Sequence, residues 1–338
     1  MRILIVDLLN IGDLLFTTPS LRALRNAYPA AEIDMLVPAQ FSDVLRHNPN
    51  IDNLIGFDKG GQDERLPGFL RMVSLLRRNR YDLVINYQVS ARASLISWLC
   101  GAKRRVGTAS SVYRRMFHQV VESDEQVHRA DMYLQILRDL SIPAGDDGKM
   151  EMFIDDASEA AVEALWREEG LDSAESVVGL NPGARVELRR WPVEKWADLA
   201  DRLERDGCRT VLLGGPGEKD IADSTISRMK SQPVVLTGKL SLLELGAVAK
   251  KCTVFVTSDT GPLHIAVSVG APVVTLFGPT RPEHTGPYKA RSVVVESDVP
   301  CAACRGEKGA AHICLRSIET DDAYAGVKRL LAEIAVSR

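Results

Sequence analysis

One carboxylate, Asp13, follows the first apolar run of the chain. It ends the segment Asn10-Ile11-Gly12-Asp13, in which Gly12 permits a tight turn with a positive φ angle. An ionised carboxylate at the end of a strand is suited to act as a general base. The same side chain could instead only cap the helix that begins around Thr17-Thr18-Pro19, because carboxylates accept hydrogen bonds from the first N–H groups of a helix.

A second polar segment, Ser258-Asp259-Thr260-Gly261-Pro262-Leu263-His264, follows an apolar run in the second half. Thr260 and Gly261 open a helix, whose first N–H groups and dipole favour phosphate oxygens. Asp259 could hydrogen-bond sugar hydroxyls, and His264 could reach a phosphate or a carboxylate. The alternative is a capped helix without a ligand, with His264 as a structural histidine.

Two neighbouring loops could complete this site. The loop Phe277-Gly278-Pro279-Thr280-Arg281-Pro282 lies beside the Asp259 segment in any parallel sheet, so Thr280 can share its ligand. The loop Arg189-Arg190-Trp191-Pro192 could clamp a pyrophosphate, or form a solvated rim with Trp191 packed against the next helix. The glycines at 214–217 complete neither a dinucleotide fingerprint nor a P-loop, which disfavours a nicotinamide enzyme or an ATPase.

A basic stretch occupies residues 71–118, where ten Lys and Arg residues accompany a single acidic residue, Asp82. Such an excess suits an anionic acceptor or an anionic membrane surface. The candidate acceptor contacts are Arg104, Arg105, Arg114 and Arg115. The alternative is a solvated face, balanced by the acidic segment 151–175.

Three cysteines cluster near the C-terminus. Cys301, Cys304 and Cys314 could ligate a metal, with His312 as a fourth ligand. A lone C-x-x-C pair with a long gap to the third cysteine favours reduced structural thiols instead. We therefore expect no metal site.

Strand-like and helix-like patterns alternate twice along the chain and must position these segments. Apolar runs predict strands at 2–7, 32–37, 53–57 and 81–86, and again at 176–181, 208–213, 233–236, 252–257 and 272–277. Predicted helices lie at 17–27, 40–47, 66–79, 91–100, 193–205, 218–229, 241–250, 259–269 and 321–335. The alternation is typical of parallel sheets covered by helices on both faces.

An acidic helical segment at 151–176 joins the two series. The predicted division is therefore a domain at 1–165, a domain at 166–320 and a terminal helix at 321–338. In doubly wound sheets, ligands bind outside the carboxyl ends of the strands, where the polar segments lie.

The composition excludes several classes of protein. The 338 residues are 45% hydrophobic and 26% charged, which is typical of a folded globular protein. The net charge of −3 argues against a protein that coats nucleic acid. No apolar run reaches the ~18 residues of a membrane span. Acidic Asp7 and Asp13 argue against a signal peptide, so we expect a cytosolic protein.

Together these motifs resemble glycosyltransferase family 9, the heptosyltransferases of the lipopolysaccharide inner core. The resemblance runs from Gly12-Asp13 and Thr17-Thr18-Pro19, through the segment 81–86, to Ser258–His264 and Phe277–Thr280. The N-terminal half is most similar to the heptosyltransferase III subgroup. The family commonly has a lysine where this chain has Arg189, which keeps the charge but changes the geometry.

The resemblance implies a GT-B fold, in which two Rossmann-like α/β domains face each other across a cleft. It implies an ADP-heptose donor, held by the C-terminal half, and inverting transfer without a metal or another cofactor. It makes Asp13 the base and assigns the donor to Asp259–His264. The implied partner is an anionic, lipid-linked core oligosaccharide, which a cytoplasmic enzyme meets at the inner face of the inner membrane.

Two other functions remain consistent with the residues. A nucleotide-sugar epimerase could use the same architecture without an acceptor. A non-catalytic nucleotide-sugar-binding protein is the second alternative, which the presence of Asp13 disfavours.

Overall fold

The chain forms two compact units, Met1–Phe153 and Ile154–Arg338. The computed structural model describes residues 1–88, 90–108, 113–122, 124, 126–145, 148–299 and 313–337. Each unit is built around its own parallel sheet of six strands. This confirms the predicted class, an α/β protein with two Rossmann-like domains.

The first unit follows the doubly wound pattern, with sheet order β3-β2-β1-β4-β5-β6 and every strand pair parallel. Its elements are β1 (Arg2–Val6), α1 (Ile11–Phe16), α2 (Thr18–Ala27), β2 (Glu32–Pro38), β3 (Asn53–Phe57), α3 (Leu66–Arg78), β4 (Leu83–Asn86), α4 (Ala91–Leu99), β5 (Arg104–Thr108), β6 (Gln119–Val121) and α5 (Arg129–Asp139). Short 3-10 segments lie at Ala39–Leu45, Gln62–Glu64 and Arg114–Met116.

One face of this sheet is covered by α3 and α4. Met72 and Leu76 of α3, together with Ala93 and Ile96 of α4, pack with apolar side chains of β1 and β4 in one buried core. The central strands are buried on both sides, which explains why their sequences read as unbroken apolar runs.

The second unit repeats the same strand order, read as β12-β11-β10-β7-β8-β9. Its elements are α6 (Asp156–Glu168), β7 (Val177–Asn181), α7 (Val193–Arg205), β8 (Arg209–Leu212), α8 (Lys219–Ile226), β9 (Val234–Val235), α9 (Leu242–Lys251), β10 (Val254–Ser258), α10 (Gly261–Ser268), β11 (Val273–Phe277), α11 (Pro282–Thr285), β12 (Ser292–Glu296), α12 (Ile313–Ser317) and α13 (Thr320–Ser337). Further 3-10 turns lie at Leu171–Ser173, Glu187–Arg189 and Pro216–Glu218.

Each sheet has a switch point, where consecutive connections leave in opposite directions. It lies between β1 and β4 in the first unit, and between β7 and β10 in the second. Ligands of doubly wound sheets bind outside the carboxyl ends of the strands at such points. The candidate Asp13 follows β1, Arg189 follows β7 and Asp259 follows β10.

The unit boundary lies twelve residues before the predicted one at 165, because α6 packs on the second unit. Glu159 pairs with Lys250 of α9 at 2.8 Å, and the ammonium group of Lys251 lies 5.4 Å from the centre of the Trp166 ring. The terminal helix α13 likewise packs against β10, β11, β12 and α7. It is therefore part of the second unit.

The predicted turn at Gly12 is wrong. Gly12 lies inside α1 and is absent from the described glycines with positive φ. The helix starts earlier because Asp13, in its first turn, accepts a hydrogen bond from the Asn10 N–H at 3.3 Å. Thus Asn10, and not Asp13, is the residue at the cap position.

Seven of the described strands and α-helices had not been predicted: α1, β5, β6, α5, α11, β12 and α12. The strand β5 begins with two arginines, β6 has only three residues, and β12 is a partly exposed edge strand. None of the described helices is both long and apolar enough to cross a bilayer.

Candidate active site

An ion pair spans the switch point of the second unit. A terminal guanidinium nitrogen (Nη1) of Arg189, from the loop after β7, lies 3.2 Å from Asp259 Oδ2, which follows β10. The same nitrogen donates to the Asp259 carbonyl oxygen at 2.9 Å. The arginine side chain is 36% exposed, whereas that of Asp259 is only 3% exposed. The contacts with Asp259 therefore fix the Arg189 side chain, which is still accessible to a ligand.

Asp259 is a buried, ionised carboxylate that organises its neighbours. His264 Nε2 lies 3.5 Å from its Oδ1, and Thr285 donates to its Oδ2 at 3.4 Å. Burial by itself raises the pKa of Asp259, but His264 and the charge of Arg189 outweigh it, so the pKa lies below its ordinary value. The burial disfavours direct contact with sugar hydroxyls, which the sequence had suggested for this side chain.

The N-terminus of α10 lies at the same point. Gly261 is the first residue of this helix, and Thr260 precedes it with an extended backbone. The Thr260 hydroxyl is 3.1 Å from that of Thr257, and Thr280, after β11, lies beside the Asp259 carboxylate. Pro262, the second residue of α10, has no N–H, and the Leu263 N–H donates to the Thr260 carbonyl oxygen at 3.1 Å. This helix terminus therefore offers an anion the Gly261 N–H and the positive end of the helix dipole. The structure thus brings together all six predicted donor residues.

The next two residues after Arg189 have structural roles. Arg190 donates to the Ala184 carbonyl oxygen at 2.7 Å. Trp191 is buried, donates its ring N–H to the Ile318 carbonyl oxygen at 3.0 Å and packs edge-on against Trp196. Of the two arginines, only Arg189 reaches Asp259.

In the first unit, Asp13 lies in the first turn of α1, with its side chain 18% exposed. Its Oδ1 is 4.0 Å from Nε of Arg129, the first residue of α5. The structure thus places a solvent-accessible carboxylate with a cation beside it near the carboxyl end of β1. Such a carboxylate can accept a proton from a hydroxyl group.

A second carboxylate, Asp7, lies next to this pair and had not been predicted as a site residue. It follows β1 and is fully buried; its Oδ1 accepts from the Leu9 N–H at 3.0 Å, and Tyr133 donates to its Oδ2 at 3.4 Å. Burial, and then the charge of Asp13, raises the pKa of Asp7 to about 8. The available sequence signal was an acidic residue ending an apolar strand, whereas nothing local connects Tyr133 or Arg129 to it.

The four predicted acceptor arginines lie elsewhere in the unit. Arg104 and Arg105 begin β5 in register with Leu83 and Val84, which places them at the amino end of the sheet, away from Asp13. Arg105 donates to the carbonyl oxygens of Met116 and Ala102, so it holds the turn before β6. Their assignment as acceptor contacts stays a prediction. The other two, Arg114 and Arg115, are exposed on that turn, which packs against α4.

The family model named glycosyltransferase family 9 (heptosyltransferase) matches residues 69–313. The chain belongs to this family. The protein is therefore a glycosyltransferase, and the resemblance seen in its motifs is confirmed. Family membership also favours sugar transfer over the epimerase and the non-catalytic alternatives.

Relatives of this glycosyltransferase share its full length. The chain is 28% identical to lipopolysaccharide heptosyltransferase 3 of Escherichia coli K12, over 96% of this chain and 97% of the relative. A glycosyltransferase family 9 structure from Veillonella parvula superposes with a TM-score of 0.90 at 30% identity, covering 98% of this chain and 97% of that one. The E. coli heptosyltransferase WaaC, solved with ADP, has the same fold, with a TM-score of 0.77 at 20% identity over 98% and 100% of the two chains.

The cysteine cluster of the glycosyltransferase lies largely outside the described residues. Cys301, Cys304 and His312 all belong to the segment 300–312, which the structure does not describe. Cys314 is buried on α12, where its Sγ packs close to Gly278. Within the described ranges, no three His, Cys, Asp or Glu residues form a group that could hold a metal ion.

Proposed function

We propose that this glycosyltransferase moves a heptose from ADP-heptose to a hydroxyl of the lipopolysaccharide inner core, with inversion at the anomeric carbon. The observation that carries the donor assignment is the Arg189–Asp259 pair at the β7/β10 switch point, beside the N-terminus of α10. These groups suit a diphosphate. The relatives named as heptosyltransferases support the sugar, and the WaaC complex with ADP supports the nucleotide.

The proposed reaction is a single displacement. The acceptor oxygen forms a bond to the anomeric carbon while the bond from that carbon to the diphosphate oxygen breaks, and its electron pair leaves with ADP. Asp13 takes the proton of the acceptor hydroxyl. Arg189, the Gly261 N–H and the dipole of α10 stabilise the negative charge that develops on the leaving diphosphate. His264 and Asp259 position Arg189 for this task.

We propose that the reaction needs no metal, because Arg189 and α10 supply the positive charge that a divalent cation would otherwise provide. Transfer measured after treatment with EDTA should equal transfer in untreated enzyme. A loss of activity that added Mg²⁺ or Mn²⁺ restores would contradict metal independence, while leaving the donor and acceptor assignments intact.

We propose that the acceptor is an anionic, lipid-linked core oligosaccharide, which the enzyme meets by binding to the inner face of the inner membrane. Apolar side chains are exposed on α3 and α4, with Leu66 at 68%, Leu70 at 53% and Trp98 at 47%. Both helices cover the same face of the sheet. Exposed arginines lie between and beside them: Arg65, Arg71, Arg77, Arg78, Arg114 and Arg115. Mixed apolar and cationic side chains are suited to an anionic lipid surface.

Replacing both exposed leucines of α3, as Leu66→Ser with Leu70→Ser, should weaken binding to vesicles that contain phosphatidylglycerol. Complete burial of one leucine side chain stabilises a complex by about 1.5–3 kcal/mol. Partial burial of two leucines in the lipid should therefore raise the affinity for vesicles about tenfold. Sedimentation with vesicles measures it. Val336→Ser, at an exposed apolar position of α13, is the matched control. Equal binding of the double variant and the wild type would contradict this docking surface.

A further inference from the structure

The buried carboxyl group of Asp7 has no role in the proposed displacement, yet it lies among the groups that do. It follows β1 and is completely enclosed, with hydrogen bonds from Leu9 and Tyr133. Burying a carboxyl group is costly unless it is neutral or paired. No described cation forms a direct ion pair with Asp7, so its burial requires another explanation.

A chain of contacts links Asp7 to Asp13. Arg129 and Tyr133 lie one turn apart on α5 with the guanidinium group close to the phenol, and the phenol donates to Asp7 at 3.4 Å. Nε of the same guanidinium group lies 4.0 Å from Oδ1 of Asp13. On the strand side, the Tyr87 ring stacks on that of Tyr133 with centroids 4.4 Å apart. The titratable groups around Asp7 are thus Asp13 on α1, Arg129 and Tyr133 on α5, and Tyr87 after β4.

The two carboxyl groups differ in environment. Asp13 is partly exposed and has a cation nearby, whereas Asp7 is enclosed. Burial and the charge of Asp13 together raise the pKa of Asp7 to about 8. Near neutral pH, Asp7 therefore retains its proton. Two carboxyl groups in such different environments can take different roles in a site.

We propose that Asp7 is a positioning residue for Asp13: as a neutral carboxylic acid it leaves the negative charge of the pair on Asp13, and through Tyr133 it holds Arg129 beside that charge. The inference rests on the proposed role of Asp13 as the base. It gives the enzyme a pH dependence. When Asp7 ionises, a second negative charge lies beside Asp13, and proton uptake by Asp13 then relieves the repulsion. Proton transfer from the acceptor hydroxyl becomes more favourable.

The test is the pH profile of single-turnover transfer, with enzyme in excess over ADP-heptose and saturating core acceptor, between pH 6 and 9. The wild-type rate should rise through a step near pH 8, by about threefold if proton transfer follows Brønsted behaviour. Asp7→Asn keeps an acceptor oxygen for the Leu9 N–H and presents an NH2 group that can donate to the Tyr133 oxygen, but it cannot ionise. Its profile should therefore lack the step while KM stays within about twofold. An Asp7→Asn profile with the same step as wild type would overturn the proposal.

Asp34→Asn is the matched control, since Asp34 is a buried aspartate of the same sheet that also accepts from a tyrosine, Tyr81, at 2.6 Å. It should keep the step. Asp13→Asn separates the two ideas: if that variant transfers at the wild-type rate, the base assignment fails. If Asp13→Asn is inactive while Asp7→Asn has the same pH profile as the wild type, the base assignment stands and the proposed role of Asp7 fails.

Thermal unfolding gives a second readout that does not depend on catalysis. A carboxyl group whose pKa is higher in the folded state binds more protons there, so folding stability falls as the pH rises from about 4 towards 8. Raising the pH over this range should therefore lower the Tm of the wild type more than the Tm of Asp7→Asn. Parallel Tm curves for the two proteins would show that Asp7 is not protonated in the folded state, and would overturn the proposal.

Discussion

Asp13→Asn should lower the rate of heptosyl transfer by about 10²–10⁴-fold, the usual contribution of a general base. The amide keeps the size of the side chain and its acceptor oxygen for the Asn10 N–H, so α1 should still form. It cannot take a proton from the acceptor hydroxyl. Binding of ADP-heptose should be unchanged, because the proposed donor residues all belong to the second unit. Transfer rates with purified protein, together with calorimetric donor binding, measure both parts.

The control for this variant is Asp43→Asn, which alters a more exposed aspartate of the same unit that pairs with the nearby Arg46. It should transfer at the wild-type rate. Asp13→Asn with more than about half of wild-type activity would show that another group accepts the proton.

Arg189→Ala should lower kcat/KM for ADP-heptose by about 10²–10³-fold, since it removes a preorganised positive charge from the leaving diphosphate. It also leaves Asp259 buried without its arginine partner. Arg189→Lys keeps the charge without the planar, two-pronged donor, and should recover most of the loss. Steady-state kinetics with varied donor and fixed acceptor distinguish the three proteins.

Arg202→Ala serves as the comparison, because Arg202 lies on the surface of α7 and pairs with Asp198 and Asp321. It should leave kcat/KM unchanged. If Arg189→Ala lowered kcat/KM no more than Arg202→Ala, the diphosphate would have to be bound by other groups. The role of the α10 N-terminus would then need a separate test by substitution of Thr260.

The cluster of polar residues around Asp259 could be predicted from sequence because its signal is local. Asp259, Thr260 and Gly261 lie at the junction of an apolar strand and a helix, and helix N-termini bind anions whatever the rest of the fold. The alternation of strands and helices also predicted that the loop with Thr280 lies beside the Asp259 segment. The structure adds the partner of each side chain: Asp259 holds Arg189 and His264, and its burial leaves ligand contact to the arginine.

The first unit was harder to predict because its site depends on long-range contacts. Arg129 and Tyr133 reach Asp13 and Asp7 across more than 110 residues, from a helix that had no clear pattern. The positions of Arg104 and Arg105 in the sheet could not be predicted for a related reason. Without β5, nothing in the sequence showed that Arg104 and Arg105 begin a strand at the far end of the sheet. The domain boundary likewise depended on the packing of α6 against α9, on which Val162 and Trp166 of α6 are buried.

The most direct test of the account is mass analysis of core acceptors after incubation with a panel of nucleotide sugars. With ADP-heptose, we expect one heptosyl unit to be added to a lipid-linked core oligosaccharide, with the opposite anomeric configuration and one ADP released for each product. ADP-heptose should remain intact when no acceptor is present. Transfer from a different nucleotide sugar with none from ADP-heptose, or an epimerised donor formed without acceptor, would contradict the account.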